Sequence, residues 1–171
     1  MEGIILEKAL ELLNEKLKKR DLSFELVTCG GALMILAGYS NRATGDMDVL
    51  APEFSKEFLE CTNEVAKELG YRDKWINDSV KVYIRDFPSG WEKRVEDLRN
   101  FSHLKLKGIS RQDLISNKLK AYVDRGFDAD DLNDLKPTRE EFNTSLEFVK
   151  SFELSQTELV ELDIIEGELF D

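Results

Sequence analysis

A chain of 171 residues is long enough to bury most of its unfolded surface in one domain, so a real hydrophobic core is expected. The 35 acidic residues against 24 basic ones give a formal net charge of -11, which argues against broad, non-specific nucleic-acid binding while leaving room for a local basic groove. Two cysteines without a CxxC spacing, no basic-then-apolar leader and no run of membrane-span length lead us to expect a soluble, cytoplasmic protein with reduced thiols and no membrane contact.

Residues 4–19 place Ile5, Leu6, Ala9, Leu10, Leu13 and Leu17 at helical spacing, with Glu and Lys on the opposite face. Phe24 to Cys29 reads as a buried strand that runs into Gly30-Gly31, after which Ala32 to Ala37 is a short, nearly all-apolar helix ended by Gly38. A loop follows, then a strand over 46–51 and a helix over about 56–69, capped by Ser55 and stopped by Gly70. Val80, Val82 and Ile84 alternate with Lys81, Tyr83 and Arg85, the period of a half-buried strand, and a further strand is expected near 103–109. Residues 91–101 carry no clear period. Ser110 with Asp113 opens a helix to about Asp124 that Gly126 terminates; Thr138 with Glu141 and Ser155 with Glu158 open two more. From Ser151 onward the chain is acidic and contains no Lys or Arg.

Strand-helix-strand order alone does not explain why a strand should open with Asp46-Met47-Asp48. Side chains two apart on a strand share a face, with their backbone positions about 7 Å apart, so the two carboxylates converge. Their repulsion is relieved by a hard divalent cation, Mg²⁺ or Mn²⁺, which takes one or two carboxylates together with waters and substrate phosphates. Gly30 and Gly31 let the backbone approach a ligand closely, and the helix behind them turns free N–H groups toward it, which suits a phosphate. Taken singly, a DxD is more often a turn or a cap, and a glycine pair says less still.

In combination, Gly30-Gly31 followed by Arg42-x-Thr44-x-Asp46-x-Asp48 resembles the signature of the nucleotidyltransferase superfamily of polymerase-β-like enzymes, with the likeness nearest to small bacterial proteins akin to AbiE-type toxins of toxin–antitoxin systems. Downstream, residues 113–125 are similar to a Lys-x-x-Ala-x-x-x-Arg helix of that group, here Lys118, Ala121 and Arg125, and Asp130 to Leu135 to the acidic element that follows it. The resemblance covers about residues 24–136. It implies an α/β fold with a central mixed sheet flanked by helices and a helical C-terminal part. It also implies a metal at Asp46 and Asp48, catalytic roles for these two and for Lys118, Asp131 and Asp134, and nucleotide contacts from Gly30, Gly31, Arg42, Thr44 and Arg125. The implied substrate is a nucleoside triphosphate and the acceptor RNA, such as tRNA, or a protein; an antitoxin would be a partner. The expected division is a nucleotidyltransferase-like domain over 1–136 and an acidic helical segment over 137–171 packed on it.

On a helical wheel Leu114, Ile115, Ala121 and Tyr122 define an apolar face, and Lys118 and Arg125 fall within it, with Ser116, Asn117, Lys120 and Asp124 opposite. Two cations facing a core must meet anions or reach a cleft, so salt bridges to Asp131, Asp134 or Asp48 stand beside the phosphate-binding role. Many active members of the superfamily carry a third carboxylate on a later central strand. Residues 80–86 offer only Asp86, so Asp131 or Asp134 supplies it, or catalysis is lost and the chain is a nucleotide- or partner-binding module. His103, the only histidine, reads as a packing or surface residue, and Trp75 as a packing anchor or a wall for a base.

Overall fold

The computed structural model describes residues 1–170, apart from the side chain of Ile4. The chain forms α1 (Gly3–Lys19), β1 (Phe24–Cys29), α2 (Gly30–Leu36), β2 (Met47–Ala51), α3 (Lys56–Leu69) and β3 (Ile76–Asn77). Short 3-10 turns over Ser79–Asp86 and Trp91–Lys93 lead to β4 (Glu96–Asn100) and β5 (Leu104–Gly108), and then to α4 (Arg111–Arg125), α5 (Ala129–Leu135), α6 (Arg139–Lys150) and α7 (Gln156–Phe170). This is the expected mixed sheet flanked by helices, with helices at the C-terminal end.

Two compact units divide these elements, one of residues 1–84 and 95–109, the other of 85–94 and 110–171. In the first, the strand order is β3-β2-β1-β5-β4. β1 pairs antiparallel with β2 and parallel with β5, β2 pairs parallel with β3, and β4 pairs antiparallel with β5. The sheet is covered by the stripe that the helical period of α1 marks out: Leu6, Ala9, Leu10, Leu13 and Leu17 are all fully buried, together with Leu26, Met47, Phe58, Val65, Leu104 and Leu106. α3 starts where Ser55 Oγ accepts the Phe58 N–H and stops at Gly70, whose positive φ only glycine adopts without strain.

The second unit is helical. α4 packs against α5, α6 and α7 and is closed at its start by Ser110 and at its end by left-handed Gly126. The capping box at Thr138 and Glu141 is fully formed in α6. Ser155 and Glu158 exchange the equivalent bonds ahead of α7.

The expected strand over 80–85 is absent. Asn77 Oδ1 accepts the Ser79 N–H and the Asp78 carbonyl accepts the Lys81 N–H, which ends β3 after two residues and winds the chain into 3-10 turns. Here short-range bonds from an Asn-Asp pair outcompete a period-2 pattern, and Val82, Tyr83 and Ile84 are exposed instead of half-buried. The segment without a period, 91–101, contains β4, whose residues are all exposed or half-buried on the sheet edge. β2 begins at Met47, so Asp46 lies just ahead of the strand and the strand pleat does not direct it.

Candidate active site

The first unit brings the glycine pair and the aspartates together through sheet register. Cys29, the last residue of β1, stands opposite Asp48 on β2, and Asp48 stands beside Asn77 on β3. Antiparallel pairing therefore sets the end of β1 against the start of β2, and Gly30, which follows Cys29, reaches the aspartate. A Cβ at Gly30 would lie 3.4 Å from Asp48 Oδ2, and one at Gly31 only 2.9 Å from Thr44 Oγ1. Gly30 also has a φ of +64°, in the left-handed region. The backbone thus turns sharply against the carboxylate and the threonine, and side chains there would fill the space. α2 begins at Gly30 itself and runs only seven residues, Gly30–Leu36.

Thr44 Oγ1 donates to the Asp46 carbonyl at 3.0 Å, and Thr28 Oγ1 donates to the Asp48 carbonyl at 2.8 Å, so two hydroxyls fix the backbone of the aspartate segment. The Asp46 carboxylate accepts from Arg72 Nη2 at 3.1 Å and from Asn77 Nδ2 at 3.4 Å, both on Oδ2. Arg42 sits exposed in the loop before β2, its N–H and Nε donating to Ser40 Oγ. Gly30, Gly31, Thr44, Asp46 and Asp48 therefore form one constellation, joined by two residues the sequence did not single out, Arg72 and Asn77. Arg72 sits between the stop of α3 and the two-residue β3, and Asn77 ends β3, a stretch too short to show a period.

Oxygen donors of this kind suit a hard cation that keeps waters and takes further ligands from a substrate. Among the described residues no group of three or more His, Cys, Asp or Glu is placed to hold a metal ion, so a closed, all-protein cage is not what this site offers.

The remaining expected residues lie in the second unit. Lys118 Nζ is 2.7 Å from Asp128 Oδ1 and is also paired with Asp131. Burial disfavours both charged forms, yet attraction to Asp128 and Asp131 raises the Lys118 pKa, and attraction to Lys118 lowers that of Asp128. Arg125, expected on the apolar face, is exposed because it ends α4, where no further turn packs over it; Nη2 reaches Asp128 Oδ2 at 3.1 Å. Two residues of the expected polar face of α4 are buried, while Asn117 is half-buried and Asp124 exposed: Ser116 meets Ser145 of α6 at 3.0 Å, and Lys120 pairs with Asp124 and lies over the Phe152 ring. Asp134 is half-buried on α5, and Asp86 lies in the second unit, its carboxyl pushed up by burial.

Trp75 is not a wall for a base: it is 1 % exposed and its Nε1 donates to the Thr62 carbonyl. His103 is a turn residue, its N–H on Asn14 Oδ1 and Nδ1 near the Leu22 carbonyl. Both cysteines are buried, and neither is part of a disulfide. No helix among the described residues is long and apolar enough to cross a membrane.

Comparison with curated proteins and with solved structures found no match. A family described as "Nucleotidyltransferase of unknown function (DUF6036)" matches residues 5–162, which include the glycine turn, both aspartates, Arg72, Asn77 and the Lys118 helix. With nearly the whole chain matched and its glycine turn folded against the aspartates, the protein belongs to this nucleotidyltransferase family.

Proposed function

We propose that the chain transfers a nucleotidyl group from a nucleoside triphosphate to a hydroxyl of an RNA or protein acceptor, with Mg²⁺ held by Asp46 and Asp48. The observation that carries the reading is the Gly30 turn closing on Asp48, with space where a Cβ would stand 3.4 Å from its Oδ2. Such a turn lets a triphosphate approach main chain and carboxylate together. The bound cation would supply charge stabilisation at the phosphate oxygens. The chain's own part is positional: Asp46 and Asp48 fix where the triphosphate's charge is neutralised, and Thr28 and Thr44 hold the aspartate backbone in place. In the reaction the acceptor hydroxyl gives its proton to solvent as its oxygen forms a bond to the α-phosphorus, the bond from that phosphorus to the bridging oxygen breaks, and pyrophosphate leaves with its electron pair.

The likeness of the Lys118 helix and of the Asp130–Leu135 element to AbiE-type toxins extends the reading to tRNA or a protein as acceptor, and to an antitoxin as partner. Within it, Lys118, Asp131, Asp134 and Arg125 act at phosphate or acceptor. A second reading is favoured by one observation: no third acidic residue joins Asp46 and Asp48 among the described residues. On that reading the fold binds a nucleotide or a partner without turnover.

Thermal stability with Mg²⁺ and each of the four triphosphates tests the proposal. A ligand at 100 times its dissociation constant adds about 2.7 kcal/mol. The expected outcome is Mg²⁺-dependent stabilisation by at least one triphosphate, lost in Asp46→Ala/Asp48→Ala. Release of pyrophosphate with transfer of label from an α-labelled triphosphate to tRNA or protein separates transferase from binding module, and stabilisation by no triphosphate refutes the transferase and the nucleotide-binding module and leaves the partner-binding one.

A further inference from the structure

Asp46 is paired with a cation that neither the sequence motif nor the proposed reaction uses. Arg72 Nη2 lies 3.1 Å from its Oδ2, and the pair is open to solvent, with 63 % of the Arg72 side chain and 38 % of the Asp46 side chain exposed. An ion pair this open is weak. A divalent cation carries twice the charge and loses no side-chain entropy on binding, so it can compete with the guanidinium for the carboxylate.

The position is also shaped for the guanidinium. Gly45 immediately precedes Asp46, and a Cβ there would stand 2.8 Å from Arg72 Nη2 and 3.5 Å from its Cζ. The Gly45 backbone is outside the left-handed region, so what the missing Cβ provides is space. Arg72 lies in the turn between α3 and β3, beside Asn77, which donates to the same carboxylate oxygen. When displaced, the guanidinium stays tethered at the rim of the aspartates, where its planar fork of N–H donors matches phosphate oxygens.

We propose that Arg72 is an exchangeable counter-ion: it neutralises Asp46 while metal is absent, and binds the polyphosphate of the incoming nucleotide once metal takes the carboxylate. The inference rests on reading Asp46 and Asp48 as the metal site. Arg72 then opposes metal bound alone and favours metal bound with nucleotide, which couples the two ligands positively.

Binding of Mn²⁺, measured by electron paramagnetic resonance or calorimetry, tests this, without nucleotide and with whichever triphosphate stabilises the protein most. Arg72→Ala is expected to tighten Mn²⁺ binding in the absence of nucleotide about threefold, the scale of an exposed ion pair. It is expected to weaken binding of the Mn²⁺–nucleotide complex about tenfold, the scale of a charge-assisted hydrogen bond. Gly45→Ala places a Cβ 2.8 Å from Arg72 Nη2 and leaves the charge intact, so it should push the guanidinium off Asp46 in part and tighten Mn²⁺ binding by less than Arg72→Ala does, without the loss of nucleotide affinity. Melting curves confirm that each variant folds. If Asp48→Ala abolishes Mn²⁺ binding but Arg72→Ala leaves both affinities unchanged, the counter-ion role is overturned and the metal site stands. If the unaltered protein binds no Mn²⁺, the metal site falls and the inference with it.

Discussion

Lys118 keeps its charge where only 9 % of its side chain meets solvent, because Asp128 and Asp131 close around its ammonium. Removing one partner of such a cluster leaves the others as uncompensated buried charge, at a cost of about 3–5 kcal/mol. Lys118→Met should therefore lose about that much stability in urea unfolding at pH 7. The pH dependence follows from the two shifts. Asp128 is lowered, so its contribution is present above the usual carboxylate range and lost as pH falls through its folded value; Lys118 is raised, so its contribution is present below the usual lysine value and lost as pH rises through its folded value. The gap between the two proteins should close toward acid, as Asp128 takes up its proton, and toward strong alkali. A gap constant from pH 3 to 7 would show that the cluster is not what Lys118 stabilises. Sequence periodicity placed Lys118 correctly on the apolar side of its helix, and the same wheel misplaced Arg125, since a wheel carries no information about where a helix ends. Arg72 was invisible at this level: an arginine in a turn acquires meaning only from the carboxylate that folding brings to it.

Elements with explicit start and stop chemistry were legible to within a residue or two: α3 between Ser55 and Gly70, α4 between Ser110 and Gly126, α6 behind Thr138. β3 was not, because two residues have no period, and 80–85 misled because its alternation is genuine while its local hydrogen bonds favour a turn. The close seating of α2 on the sheet was equally hidden. A Cβ at Gly108 on β5 would collide with Leu33 Cδ1 of α2 and fall 3.1 Å from Leu98 Cδ1 of β4. Leu33 is 2 % exposed, so its side chain packs in the core against the face that Gly108 leaves open. Gly108→Ala should cost about 1–3 kcal/mol, the usual range for overpacking a filled core. Chemical denaturation measures it, and a neutral result would mean that the Leu33 side chain gives way without cost.

Across the whole chain the two units are interleaved: the first is interrupted by 85–94, which belongs to the second, and the second resumes only after β5. Each unit needs pieces from distant parts of the sequence. In the second, Arg94 donates to both carboxylate oxygens of buried Asp113 on α4, and in the first, Phe24 pairs in register with Leu104. A fragment ending at residue 101 therefore lacks β5 and leaves β1 open along one side. It should appear in the insoluble fraction, while the full chain stays soluble; a soluble fragment with a cooperative melt would refute this. The same register orders events during synthesis. β1 emerges from the ribosome early and finds β2 and β3 on one flank, but its other neighbour, β5, follows only after α3, both 3-10 turns and β4 have been made. For that interval Phe24 and Leu26 border an unpaired edge, which makes the nascent chain a natural client for whatever shields exposed strands near the exit tunnel.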